Sequence, residues 1–200
     1  VRITFKHSDP NHVAVDLDDV TVDFMPGLAH SYELEFGEVL DISAGTWAKP
    51  LSQYETPALR AAGFKSLWDW LRHREWLWAL FPAVPGAMGG IAALRHAGWY
   101  VEAVTSKPEW AEHNVWKWLG KWRPPFNRVT IVGQGQEKVD VTVAGVIIDD
   151  KLSTCVSFNE AGRSAVLFDR YGAHEDEAAP FLRRAQDWNE VIAHMEAYRG

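Results

Sequence analysis

Val-Ala-Val-Asp-Leu-Asp-Asp-Val-Thr, residues 13–21, sets a short apolar run directly against three closely spaced carboxylates, Asp16, Asp18 and Asp19. An apolar run without polar alternation reads as a strand buried on both faces, which is the environment of a parallel sheet. Its C-terminal end would then deliver the carboxylates to solvent. Similar runs occur at residues 99–105 (WYVEAVT), 129–132 (VTIV), 145–148 (GVII) and 164–168 (SAVLF). Helical patterns lie between several of them. Residues 86–97 (GAMGGIAALRHA) carry Met88, Ile91, Leu94 and Arg95 at helical spacing, and Gly98 follows as a stop. Pro108 opens a second helix running to Leu119, with Trp110, Val115, Trp118 and Leu119 on its buried face. Asp187 and Glu190 have capping-box spacing ahead of a third, which contains Val191, Ile192 and Met195. Strands alternating with helices predict an α/β fold: a parallel sheet with helices on both faces, binding its ligand at the C-terminal strand ends.

No comparable strand occurs between Val22 and Pro85, where residues 64–81 (FKSLWDWLRHREWLWALF) are dense in Trp and Leu. This predicts a small helical cap, residues 22–82, inserted after the first strand of a core formed by residues 1–21 and 83–200. A chain of 200 residues accommodates one such core with a modest insertion. Leu67, Trp68 and Leu71 fall at three- and four-residue intervals, so Trp68, Trp70, Trp76 and Trp78 are expected to pack rather than to stack on a base.

Composition narrows the functional classes. Hydrophobic residues make up 47% and charged residues 24%, ordinary for a globular chain. A net charge of −7 argues against a nucleic-acid polymer as partner, because that binding is driven by Lys and Arg displacing counterions. A small phosphate ester held through a metal stays compatible. The single cysteine, Cys155, excludes an internal disulfide and a multi-cysteine zinc site, and it is expected to pack in the core. The eight histidines are scattered, and surface or partly buried positions are expected for all of them. No apolar run approaches the roughly 20 residues that span a bilayer, and the opening residues lack a signal-peptide stretch. A cytoplasmic protein that does not insert in a membrane is expected.

The predicted strand ends carry Asp16-Leu17-Asp18-Asp19, then Thr105-Ser106-Lys107, then Asp149-Asp150-Lys151, with Lys138 shortly before the last. An isolated Asp-x-Asp most often caps a helix or is solvated. Independent caps, however, have no reason to gather carboxylates, a hydroxyl and a lysine on one sheet edge. Phosphoryl transfer supplies a reason, since it needs positioning and charge neutralisation more than a strong base. Asp16, Asp18, Asp149 and Asp150 together would repel unless a hard cation sat among them, and Mg²⁺, which takes oxygen ligands, suits such a set.

In order and spacing, Asp16-Leu17-Asp18-Asp19-Val20-Thr21 resembles the first motif of the haloacid dehalogenase (HAD) superfamily, Thr105-Ser106 the second, Lys138 the third and Asp149-Asp150 the fourth. Within that superfamily the chain is similar to the 5'(3')-deoxyribonucleotidases and their phage and bacterial relatives. The likeness is carried by DLDDVTVDF (16–24), PGAM (85–88), TSKP (105–108) and EKVDVTVAGVIIDDK (137–151). The resemblance implies a HAD-like sheet with a cap and hydrolysis of a deoxyribonucleoside monophosphate. It makes Asp16 the nucleophile that forms an aspartyl-phosphate, and Asp18 the acid and base. Mg²⁺ would be held by the Asp16 carboxylate, the Asp18 carbonyl and Asp149, with Asp150 as a direct or outer partner. Thr105 would bind a phosphate oxygen, and Lys138 would neutralise charge and orient Asp16. Ser106 would touch phosphate or stabilise its turn, and Phe24 would lie near the substrate or in the core.

Lys107 and Lys151 are rival basic candidates, but Lys138 has the family's spacing before the final aspartates. Asp19 departs from the family, which has Gly there; its carboxylate is expected to point away from the phosphate. Two other readings stay open: a different small phosphomonoester as substrate, and a metal- or nucleotide-binding module that has lost turnover, which Asp19 would motivate. Exposed cap tryptophans would point to a homodimer.

Overall fold

The computed structural model describes residues 8–42, 50–133, 135–174 and 182–199. His7 lies outside them. Among the described residues six strands form one parallel sheet, in the order β3-β2-β1-β4-β5-β6. In chain order they are β1 (Asp9–Val15), β2 (Tyr100–Ser106), β3 (Arg128–Val132), β4 (Ala144–Asp149), β5 (Ser164–Phe168) and β6 (Arg183–Ala185). The α-helices are α1 (Phe24–Phe36), α2 (Pro57–Ala61), α3 (Leu67–Arg72), α4 (Leu77–Leu80), α5 (Ala87–His96), α6 (Glu112–Trp122), α7 (Lys138–Val141), α8 (Leu152–Glu160) and α9 (Trp188–Arg199). The predicted strands are all present, shifted by a few residues at their ends. The predicted helix opening at Pro108 instead begins with a 3₁₀ turn, Glu109–Ala111, before α6.

The central strands are apolar because both faces are covered. On one face Val13, Val15, Val101, Val146 and Ile148 pack with Ile91 and Leu94 of α5 and with Trp188, Val191 and Met195 of α9. On the other face Ala14, Val104, Ile147 and Leu167 meet Cys155 and Phe158 of α8. Gly90 allows α5 to approach α9, since a Cβ there would fall 2.2 Å from the Trp188 ring. Trp188 also donates its indole N–H to the Val20 carbonyl at 2.9 Å, tying α9 to the acidic loop after β1.

Between β1 and α5 the described residues are helical or irregular, α1 to α4. The chain leaves β1 and returns to α5 along paired segments: Asp23 N–H bonds Pro82 O, and Val84 N–H bonds Thr21 O, both at 2.8 Å. Leu28, Tyr32, Leu59, Leu67, Trp70 and Trp78 from this region share one apolar cluster with Trp118 of α6 and Ala103 of β2. Trp118 clamps the exit of the region by donating to Phe81 O at 2.9 Å. Trp70 and Trp78 are buried as expected. Trp76 is not: it is 52% exposed, because α3 ends at Arg72 and the turn that follows breaks the helical register.

His12 also departs from expectation. It is buried, with Nε2 3.0 Å from the Glu102 carboxylate in the middle of the sheet. Glu102 additionally accepts from Thr130 and Thr142, each at 2.6 Å. Burial alone would raise the Glu102 carboxyl, but His12 and the two hydroxyls outweigh it and hold the group below its ordinary value. Glu102→Ala is expected to cost about 3 kcal/mol, read as a lower midpoint in urea at neutral pH, because it strands hydroxyls buried around the missing acceptor.

Candidate active site

In a sheet of order 3-2-1-4-5-6 the connections reverse direction between β1 and β4, and the crevice at the C-terminal ends of those strands is where such sheets bind ligands. Val15 is in register with Ile148, and Asp16 N–H bonds the Ile148 carbonyl at 2.9 Å, so Asp16 and Asp149 emerge side by side. Both are buried, at 3% and 0% exposure. One oxygen from each of Asp16, Asp149 and Asp150 lies within 4.8 Å of the others, an arrangement able to hold a metal ion.

Lys138, on the short helix α7, places its ammonium between the first two carboxylates, 2.7 Å from Asp16 Oδ2 and 2.7 Å from Asp149 Oδ2. Burial would lower its pKa; the two carboxylates outweigh that and raise it. Burial likewise would raise the Asp16 carboxyl, yet Lys138, with Lys151 and Lys107 behind it, holds it below its ordinary value. Asp149 and Asp150 are raised, first by burial. Negative neighbours add to this, although Lys138 partly offsets it at Asp149. Buried Asp150 Oδ1 has no hydrogen-bond partner among the described residues. Two buried carboxylates and a partly buried third around one buried ammonium leave excess negative charge, and an orphaned carboxylate oxygen fits a further cation of oxygen preference.

The loop after Asp16 is a tight turn. Thr21 Oγ1 donates to Asp16 O at 2.8 Å, and Asp19 N–H bonds Val22 O at 2.7 Å. Asp19 stands at φ 59°, the left-handed region that favours glycine but that Asp tolerates. Its carboxylate turns to the start of α1 and accepts from Met25 N–H at 3.0 Å, while Asp23 at the cap position makes no capping bond of its own. Burial, and then the charge of Asp150, push the Asp19 carboxyl well above its ordinary value.

Thr105, at the end of β2, is 1% exposed, and its hydroxyl has no partner among the described residues. Ser106 is exposed and borders a polar cleft with Lys138, Lys151 and Ser153. Phe24 is 6% exposed and lines a narrow crevice with Asp18, Trp78, Phe81 and Lys107. By spacing, Lys107 is a weaker candidate than Lys138. In the structure Lys107 contacts the Asp18 carboxylate, at 2% side-chain exposure. Its position directly after Thr105-Ser106 was the available signal, but its burial comes from Phe24 and Trp78, which are distant in sequence.

No protein-family profile matches the chain, and no curated protein matches it in sequence. Solved structures do. HAD-hydrolase YfnB from Bacillus subtilis, solved with magnesium, superposes with a TM-score of 0.64 at 14% identity, covering 94% of this chain and 99% of that one. A HAD family hydrolase from Deinococcus radiodurans, solved with phosphate and sodium, gives 0.65 at 17% identity, covering 95% and 96%. The fold is that of the HAD hydrolases. CbbY from Rhodobacter sphaeroides, in complex with phosphate, superposes with a TM-score of 0.58 at 15% identity, covering 94% of this chain and 100% of that one.

Proposed function

We propose that this chain is a Mg²⁺-dependent phosphomonoester hydrolase acting on deoxyribonucleoside monophosphates. The observation that carries the reading is the placement of Asp16 beside Asp149 and Asp150 at the β1/β4 crevice, with Lys138 bridging the first two. Residues 22–82 act in it as a cap over a core of residues 1–21 and 83–200. Asp16, Asp149 and the Asp18 carbonyl would hold the Mg²⁺, with Asp150 beside them. Bound there, the ion supplies charge neutralisation on the phosphoryl oxygens.

The remaining steps belong to the chain's own groups. The Asp16 carboxylate attacks phosphorus, and its new O–P bond forms as the bond to the leaving oxygen breaks. Asp18 gives its proton to that oxygen. It then takes one from the water that attacks the aspartyl-phosphate, which releases inorganic phosphate and restores Asp16. Thr105 donates its hydroxyl, which has no partner among the described residues, to a phosphoryl oxygen, and Lys138 keeps Asp16 aimed and balances charge. Ser106 borders the same phosphate. The Asp19 carboxylate accepts from Met25 N–H at the start of α1, which supports the reading that it points away from the phosphate.

The nucleotide assignment rests on the resemblance of DLDDVTVDF (16–24), TSKP (105–108) and EKVDVTVAGVIIDDK (137–151) to the deoxyribonucleotidases, since Phe24, Trp78 and Phe81, which line the crevice beside Asp18, are themselves buried in packing. Phosphate release measured over deoxyribonucleoside monophosphates and sugar phosphates, with Mg²⁺, tests the reading. The nucleotides are expected to turn over fastest, and hydrolysis of sugar phosphates alone would contradict the substrate assignment. Exposed Trp76 is the kind of cap tryptophan that would point to a homodimer, and solution mass by light scattering decides it.

Metal binding should also appear in stability. The raised Asp149 and Asp150 bind protons in the folded chain at pH values where the unfolded chain, with carboxyl pKa about 4, does not. Metal-free protein therefore gains stability from these groups as pH falls from neutral, and they favour it least at neutral pH. The depressed Asp16 and Glu102 act oppositely, their stabilisation disappearing as pH drops below about 4. Mg²⁺ at a hundredfold excess over its Kd is expected to stabilise by about 2.7 kcal/mol at neutral pH and progressively less in acid, as protons compete for the same oxygens. Thermal melts with and without Mg²⁺ across pH check this; a pH-independent shift would contradict it. No helix among the described residues is long and apolar enough to cross a membrane.

A further inference from the structure

The Asp18 carboxylate receives one hydrogen bond among the described residues, from the Lys107 ammonium. The two partners differ sharply in exposure: the Lys107 side chain is 2% exposed and the Asp18 side chain 29%. Lys107 belongs to no other ion pair among the described residues, and it stands apart from the Lys138 bridge between Asp16 and Asp149. Its ammonium lies 4.1 Å from the centre of the Trp78 ring and 5.7 Å from that of Phe24. Ring faces attract cations, and a desolvated ammonium that left its carboxylate would be costly, so the charge has one place to sit. A pinned cation in turn pins the more exposed carboxylate that touches it.

We propose that Lys107 is the positioning residue for the proton-donating carboxyl, holding Asp18 in the crevice on the side from which the leaving group departs. The assignment rests on the role given to Asp18 above. In the step concerned, the Asp18 O–H bond breaks and an O–H bond forms on the leaving oxygen, while the P–O bond to that oxygen breaks and the Asp16 O–P bond forms. Lys107 retains all its protons and fixes one carboxyl oxygen of Asp18, so that the other faces the leaving atom. The aromatic pair Phe24 and Trp78 acts through Lys107 and not on the phosphate.

Leaving-group dependence separates this role from a merely structural one. Para-nitrophenolate departs without needing a proton, whereas an alkoxide needs one. Lys107→Met, which keeps length and apolar contact, is expected to lower kcat on a deoxyribonucleoside monophosphate by about 10- to 100-fold, out of the 10²–10⁴ that general acid catalysis supplies. On para-nitrophenyl phosphate the same variant should lose less than about threefold, with KM changed little on either ester. Lys107→Leu, which also keeps apolar contact with the rings and lacks a donor for Asp18, gives the same comparison should the Met variant not fold. Equal losses on both esters, or none on either, overturn the assignment of Lys107 while loss of turnover in Asp16→Asn leaves the parent reading standing. Undiminished turnover in Asp16→Asn overturns the parent reading and this assignment with it.

Discussion

Asp16→Asn is expected to abolish phosphate release, lowering kcat by about four orders of magnitude or more, while the chain stays folded. The amide has the shape of the carboxylate but cannot form the O–P bond on which the first step depends. Its carbonyl can still accept from Lys138, and Asp149 still faces the same ammonium at 2.7 Å, so the buried cation is not stranded. Substitution also removes a carboxylate from a set in which Asp149 and Asp150 are already raised partly by the Asp16 charge. Stability of the metal-free protein should therefore change by no more than about 1 kcal/mol. Single-turnover mixing with rapid acid quench, followed by mass measurement, adds a second readout: a phosphoryl group on the peptide containing Asp16 in the wild-type chain, and none in the variant.

Lys138→Met is expected to damage both chemistry and folding. The ammonium is 4% exposed at the side chain and meets two carboxylates that are equally buried or more so. Removing it leaves Asp16 and Asp149 facing each other with no cation, the situation in which breaking a buried pair costs about 3–5 kcal/mol. In catalysis the loss of a preorganised charge beside the phosphoryl group is worth about 10²–10³ in kcat. The two effects separate by metal. Mg²⁺ should restore part of the stability, because it is a second cation for the same oxygens, but it should restore little of the rate, because Asp16 loses the group that aims it. Urea midpoints with and without Mg²⁺, alongside kcat, test both halves. A variant as stable as wild type in the absence of metal would contradict the charge balance described here.

The fold was legible where burial on both faces leaves an unbroken apolar run. This is why residues 145–148 and 164–168 announced β4 and β5. The edge strand β6, Arg183–Ala185, was missed because two of its three residues are arginines and its pattern is that of a surface loop. Helix α8 was missed for a related reason: it starts after Lys151 without a capping side chain and carries only two buried residues, Cys155 and Phe158.

In the site, Asp16, Asp149, Asp150 and Thr105 were readable as neighbours because each sits at or next to a strand end, where topology brings them together, whereas Lys138 reaches them from α7 and was legible only through its spacing before the final aspartates. The partners that fix each side chain were less readable, even where its direction was expected. Asp19 differs from Asp18 by one position in sequence, yet it turns to the start of α1 because its left-handed backbone aims the carboxylate at Met25 N–H. His12 reads as a surface residue until β2 places Glu102 beside it. The burial of Lys107 depends in the same way on Phe24 and Trp78, which reach it from helices far along the chain.

A crystal grown with Mn²⁺ in place of Mg²⁺, and measured for anomalous scattering, shows whether Asp16 and Asp149 share one ion. A single strong peak is expected at coordination distance, about 2 Å, from carboxylate oxygens of both Asp16 and Asp149, with Asp150 beside it. A fully bound crystal with no peak there, or with the ion touching neither Asp16 nor Asp149, would contradict that placement.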